Sequence, residues 1–196
     1  LLKTQSIILK KQEKTKVKVA LIPNDFSMDL EKVFQLCEKE GVKYVELAYM
    51  WGKSILDLND QELKKVVDLM NQYHIQAASI QTQIGKVFPP GSFLAKKASK
   101  SMHRDYKYNA SRLDRAIELA DFFNTEYIVT YSFFTLLDWK KASRWPLLLD
   151  TYEEFHSKLK GANKTAVVEC EGDTLVKDVE TYLRLVTHFN DSPHLK

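Results

Sequence analysis

Residues 43–83 read KYVELAYMWGKSILDLNDQELKKVVDLMNQYHIQAASIQTQ. The opening KYVELAYM (43–50) is apolar and aromatic and predicts a strand. Further on, Leu63, Val66, Val67 and Met70 recur at the three- and four-residue spacing of one helix face. Asn59 or Asp60 stands where that helix needs an N-cap. The closing IQAASIQTQ (75–83) predicts another strand. Strand, helix, strand in succession is the unit from which parallel sheets are built.

The same order extends to both sides. VKVALIP (17–23) predicts a first strand, and Leu30, Val33, Phe34 and Cys37 then share one helix face. Ser27 or Asp25 is placed to cap that helix and Gly41 to end it. Downstream, NASRLDRAIELADFFN predicts a helix and EYIVTYSFF (126–134) a fourth strand. WPLLLDTYEEFHSKLKGAN predicts the next helix, with Pro146 in its first turn. TAVVE (165–169) predicts strand five, and DTLVKDVETYLRLVTHF a helix capped by Asp173 or Thr174. Five βα units with short, β-branched strands imply a parallel sheet covered on both faces.

Two α/β architectures fit: an open doubly wound sheet, or a (β/α)8 TIM barrel of which five units are present. A bare parallel edge after strand five is a liability, which favours the barrel, truncated or completed by residues outside this sequence. The chain opens Leu-Leu-Lys and closes DSPHLK, a run-in to a further strand, so it is expected to be a piece of a longer product. Residues 1–16 read as a basic tail and 17–196 as the partial barrel domain. The connection 84–108, with Pro89, Pro90 and Gly91, is long enough to be expected at the mouth of the site.

The 196 residues include 29 Lys+Arg against 26 Asp+Glu, an excess too small to argue for a nucleic-acid partner. Cys37 and Cys170 make no metal-type spacing and suit a reduced, cytoplasmic chain. No apolar run approaches the roughly 18 residues of a membrane span. G-x-G-x-x-G after strand one and the G-x-x-x-x-G-K-[ST] loop are both absent, which argues against a nucleotide cradle.

Parallel α/β folds place function at the carboxyl ends of their strands. Here those ends carry Asn24 and Asp25; Glu46, Tyr49, Trp51 and Lys53; Gln81, Gln83 and Lys86; Tyr131, Ser132 and Phe134; Glu169 and Glu171. Aromatic, amide, amine and carboxylate groups on one rim suit a small polar ligand such as a sugar. Glu46, Trp51, Lys86, Ser132 and Glu171 are the candidates for binding it. Plainer roles exist for some: packing for Trp51, a small fit for Ser132, a lysine partner for Glu46. Glu169 is the foremost candidate, because a carboxylate after four buried residues must be paired, hydrogen-bonded or metal-bound.

Taken together, VKYVELAYM…QTQIGK, EYIVTYSFF and VVECEGDT resemble the sugar phosphate isomerase/epimerase family of the xylose isomerase-like TIM-barrel superfamily, over about residues 17–196. The resemblance implies a divalent metal ion (Mn2+, Mg2+, Co2+ or Zn2+) at the barrel mouth. Glu169 matches its strand-five ligand, and the other ligands belong to strands six to eight. Cys170 stands where the family often has Asn. The implied reaction is isomerisation or epimerisation of a sugar or sugar phosphate through an enediolate, with Glu169 also moving the proton. A homodimer is compatible with this reading, and neither nucleic acid nor membrane is expected as a partner. Apurinic endonucleases share the superfamily but need histidines at the ends of strands two and three. None of His74, His103, His156, His188 and His194 lies there. A further alternative is an inactive partial barrel that serves as a binding module.

Overall fold

A computed structural model describes residues 18–89, 111–135 and 144–196. The predicted tail 1–16 and most of the 84–108 connection lie outside the described residues. Five strands form one parallel sheet: β1 (Ala20–Leu21), β2 (Tyr44–Leu47), β5 (Gln76–Gln81), β6 (Tyr127–Thr130) and β7 (Thr165–Val168). A two-stranded antiparallel hairpin, β3 (Tyr49–Met50) and β4 (Lys53–Ser54), follows β2. The helices are α1 (Leu30–Glu40), α2 (Asp60–Gln72), α3 (Leu113–Phe122), α4 (Trp145–Gly161) and α5 (Val179–His188).

The sheet order β1-β2-β5-β6-β7 follows the chain without reversal. A doubly wound sheet reverses at its switch point. A sheet that grows in one direction only, with a helix after each strand, is the pattern of a (β/α)8 barrel. The order therefore decides between the two architectures. At the far edge, Leu195 pairs in parallel with Ala166, and the Lys196 N–H donates to the Ala166 carbonyl at 2.8 Å. DSPHLK thus does lead into strand-like pairing beside β7.

Alternation sorts the two faces of the sheet. Val45, Leu47, Ile80, Ile128, Ala166 and Val168 are buried in one core with Leu30, Phe34, Val66, Leu119, Tyr152 and Phe155 of the helices. The intervening positions, among them Glu46, Ser79 and Gln81, lie on the opposite, inner face. Between Val45 and Glu46 the register slips, so that Glu46 pairs with Ser79 while Val45 pairs with Ala77. This irregularity sets Glu46 against the Ser79 hydroxyl.

The local signals met mixed outcomes. Asn59 caps α2 in a full capping box, its side chain accepting from the Glu62 N–H at 3.0 Å. Gly41 closes α1 with φ 70°. Helix α1, however, starts at Leu30, with Asp29 at its N-cap position, after a 3-10 turn at Pro23–Asp25 that takes up Asp25. Ser27 Oγ accepts the Asp29 N–H instead. Helix α5 starts at Val179, capped by Asp178 rather than Asp173 or Thr174. Thr174 is held back by pairing with Phe134, and its hydroxyl donates to the Glu171 and Val176 carbonyls.

The C-terminal segment is fastened through two histidines. His156 Nε2 lies 2.7 Å from Ser192 Oγ, and His194 Nδ1 lies 2.9 Å from the Lys164 carbonyl. Burial, then the charges of His194 and Lys160, push His156 below its usual pKa of 6.5. The unfolded chain then binds that proton more readily, so stability falls as pH drops below about 6.5. The denaturation midpoint in urea should be lower at pH 5.5 than at pH 7.5, and His156→Gln should shrink the difference. An unchanged difference in the variant would refute the assignment to His156.

Candidate active site

The carboxyl ends of β2, β5, β6 and β7 bring a set of polar side chains to the inner face. Glu46 Oε2 accepts a hydrogen bond from Ser79 Oγ at 2.5 Å. Burial raises the Glu46 pKa above its usual 4.5. The Ser79 bond opposes this, while the negative charges of Glu169 and Asp25 add to it. Gln81 Nε2 donates to Tyr131 Oη at 3.2 Å and to Glu169 Oε2 at 3.4 Å. One amide therefore ties the end of β5 to the residue after β6 and the residue after β7. Burial, then the Glu169 carboxylate facing its hydroxyl, push the Tyr131 phenol well above its ordinary range.

Lys86 extends this set. Its ammonium is 2.6 Å from Glu171 Oε1 and 4.8 Å from the centre of the Tyr131 ring. Glu171 Oε2 is buried and has no hydrogen-bond partner among the described residues. The turn that presents Lys86 is fixed by close backbone contact. The Tyr131 N–H donates to the Ile84 carbonyl at 2.8 Å, and the Phe134 N–H to the Val87 carbonyl at 3.0 Å.

The structure thus gathers Glu46, Glu169, Glu171 and Lys86 around Tyr131. Ser132 sits elsewhere: it has no exposed surface, and its hydroxyl accepts the Val176 N–H at 2.8 Å. That bond holds the loop after β7. Trp51 occupies the β3–β4 turn with φ 52°, followed by Gly52 with φ 78°. Lys65 of α2 lies 4.8 Å from its ring, so the indole packs beside α2. Gln81 and Tyr131 were visible at strand ends, and Ser79 one alternation before Gln81. Only the fold shows that they connect the carboxylates.

Among the described residues no three of His, Cys, Asp and Glu come together as a metal-ligand group. Glu169 and Glu46 offer hard oxygen donors to the inner face, but the remaining ligands implied by the resemblance have no counterpart there. His74, His156, His188 and His194 lie at helices or at the C-terminal segment, away from the carboxylates. A cavity of about 670 Å³ opens at the other end of the sheet, lined by Lys18, Tyr44, Gln76, Tyr127 and Lys164. Lys164 there is already committed, donating to the Thr125 carbonyl and paired with Asp121. None of Glu46, Glu169 and Glu171 lines this cavity.

Comparison with solved structures bears on the fold. A probable 3-DHS dehydratase involved in petrobactin synthesis from Bacillus anthracis matches with a TM-score of 0.66 and 16% identity, over 92% of this chain and 61% of that one. A 3-keto-D-glucoside 4-epimerase from E. coli, in its apo form, matches at 0.65 and 12%, over 92% and 67%. A xylose isomerase-like TIM barrel protein from Mycobacterium smegmatis, in complex with magnesium, matches at 0.64 and 12%, over 92% and 63%. The chain has the xylose isomerase-like TIM-barrel fold, with five βα units of it. It spans about three fifths of the length of the solved structures it matches. No family model matches the sequence, and no curated protein matches it either.

Among the described residues no helix is long and apolar enough to cross a membrane. Cys37 is buried and Cys170 exposed, and both are free thiols.

Proposed function

We propose that this chain carries the strand-five part of a sugar isomerase or epimerase site, with Glu169 as the group that moves a proton on a carbon beside a carbonyl. The observation that supports it most is the placing of Glu169. Its carboxylate stands at the end of β7 on the inner face, oriented by Gln81 and beside Tyr131. A carboxylate so held is suited to removing a proton next to a carbonyl group. Glu46 and the Lys86–Glu171 pair surround it with groups that can hydrogen-bond sugar hydroxyls. The substrate class is a small sugar or sugar phosphate, handled in the cytoplasm without nucleic acid or membrane.

A divalent ion, Mn2+, Mg2+, Co2+ or Zn2+, belongs to this reading, with Glu169 as this chain's ligand. The magnesium in the mycobacterial structure supports it. The other ligands must come from outside the described residues. The alternative is a partial barrel that binds a partner without catalysis. The chain spans 61–67% of the length of the barrels reported above.

The test is intact mass and metal analysis of one sample, followed by incubation with ketoses in D2O. About one divalent ion per chain and deuterium entering a ketose beside its carbonyl support the enzyme. Neither ion nor deuterium, at a mass equal to 22.7 kDa, supports the binding module.

A further inference from the structure

Lys86 and Glu171 form an ion pair at the carboxyl ends of β5 and β7, each presented by a turn that backbone bonds fix. The Lys86 N–H donates to the Gln83 carbonyl at 3.1 Å, and the Tyr131 N–H holds the same turn through the Ile84 carbonyl at 2.8 Å. The Glu171 N–H donates to the Val176 carbonyl at 3.2 Å, and its own carbonyl accepts the Thr174 N–H at 2.9 Å. The two side chains meet at 2.6 Å and stay partly open, 21% and 31% exposed. The Tyr131 ring covers one side of the ammonium, its centre 4.8 Å away. Gln81 Nε2 donates both to the Tyr131 hydroxyl at 3.2 Å and to Glu169 at 3.4 Å, which sets the pair beside the carboxylate proposed to move the proton. Lys86 is the only described group bonded to the Glu171 carboxylate, whose other oxygen is buried.

We propose that the Lys86–Glu171 pair determines specificity at this site: it receives two neighbouring hydroxyls of an unphosphorylated sugar and excludes a phosphate from that position. This rests on the sugar isomerase or epimerase reading and narrows its substrate class to the neutral sugar. An ammonium only donates hydrogen bonds, a carboxylate only accepts them, and a hydroxyl does both. One sugar hydroxyl can therefore accept from Lys86 Nζ while its neighbour donates to Glu171. The two protein charges stay paired throughout, and neither is left without a partner.

A phosphate group meets the same pair differently. It carries about −1.5 to −2 charges at neutral pH, and its terminal oxygens act chiefly as acceptors. It can bond to Lys86 but not to Glu171, and it would then face a carboxylate oxygen that lies 2.6 Å from that ammonium. If Lys86 turned to the phosphate, Glu171 would lose its only described cation, with one oxygen already buried and unmet among the described residues. A partly buried charge left unpaired is costly. Selectivity comes from such penalties against the wrong ligand as well as from contacts to the right one. The carboxylate that neutralises Lys86 is thus the element that rejects phosphate.

The experiment has two arms. In the first, the full chain supplied with Mn2+ exchanges deuterium from D2O into D-fructose or D-fructose 6-phosphate. The wild-type kcat/KM should favour D-fructose by about 10-fold or more. Glu171→Gln should shrink that preference by about 10-fold, mainly through a lower KM for the phosphorylated ketose. Lys86→Gln should raise KM for D-fructose more than it lowers kcat, the mark of lost ground-state binding. In the second arm, inorganic phosphate is titrated by 31P NMR with no divalent ion added. Glu171→Gln should bind it, while the wild type and the double variant with Lys86→Gln should not. The wild-type comparison and Lys86→Gln keep the proposal testable should Glu171→Gln fold poorly. Equal or better use of D-fructose 6-phosphate by the wild type would overturn the proposal. So would wild-type phosphate binding that Lys86→Gln abolishes, or a folded Glu171→Gln with unchanged preference. A chain that exchanges neither ketose, yet binds phosphate only as Glu171→Gln, would overturn the sugar reading and support exclusion of phosphate by the pair.

Discussion

Gly85→Ala should destabilise the chain by roughly 2–6 kcal/mol, combining the cost of a strained backbone conformation with that of overpacking. Gly85 has φ +90°, a region L-residues rarely adopt. A Cβ there would stand 1.8 Å from the Tyr131 carbonyl oxygen and 2.7 Å from its carbon. The obstacle is backbone, so no side-chain rotation relieves it. Nor can the turn move away freely, because Tyr131 is hydrogen-bonded to Ile84 and Phe134 to Val87. A loss of this size is a large part of the 5–15 kcal/mol that holds a typical domain together. Gly52→Ala is the control. Its φ of +78° is also unfavourable, but a Cβ there meets nothing within 4 Å. It should cost clearly less, on the order of 1 kcal/mol. Urea denaturation of both variants decides the matter. Equal, small losses would mean that the Ile84–Val87 turn does not press on Tyr131 as described. Where Gly85→Ala remains folded, Lys86 should lose its place over Tyr131, and the site should weaken with it.

Nothing in the sequence set Gly85 apart from the other glycines, because its partner lies 46 positions along the chain at Tyr131. This marks where sequence reading succeeds and fails. Asn59 and Glu62 act on each other within one turn, so the cap of α2 was legible. The core faces of α1 and α2 were legible too: Leu30, Val33, Phe34 and Cys37, then Leu63, Val66 and Met70, are buried, and Val67 is partly buried against them. Periodicity reports an element's own face, and that face is local. The start of α5 was misread because Asp173 and Thr174 resemble caps but are held by Thr135 and Phe134 after β6. In the same way, the strand-end rule pointed to Glu46, Gln81 and Glu169 but not to the bond by which Gln81 spans two strand intervals to reach Glu169. Ser132 satisfied the rule by position, yet its hydroxyl points into the loop after β7. Position along a strand fixes which end a residue occupies. The tie between strands fixes what its side chain does.

Glu169→Gln should lower kcat for ketose exchange by about 10²–10⁴-fold, the usual contribution of a positioned acid or base. The substitution keeps the shape of the side chain and an oxygen able to accept from Gln81 Nε2. Stability should therefore change little, within about 1 kcal/mol, as for a partly exposed side chain that keeps its hydrogen bond. The amide cannot take up a proton at neutral pH, so only the transfer step is lost. Any bound divalent ion should be lost or weakened as well, since a carboxylate ligand has become a neutral amide. The two readouts separate two roles. If metal content falls while exchange supported by saturating metal recovers, Glu169 is a ligand only. If exchange stays lost at saturating metal, Glu169 moves the proton. A variant with wild-type exchange would show that the β7 carboxylate serves only its tie to Gln81 and Tyr131. Removal of the negative charge should also let Glu46 ionise more easily, because the Glu169 charge is one of the causes that raise its pKa. A downward move of the Glu46 titration in Glu169→Gln would show that the two carboxyls sense each other across the inner face.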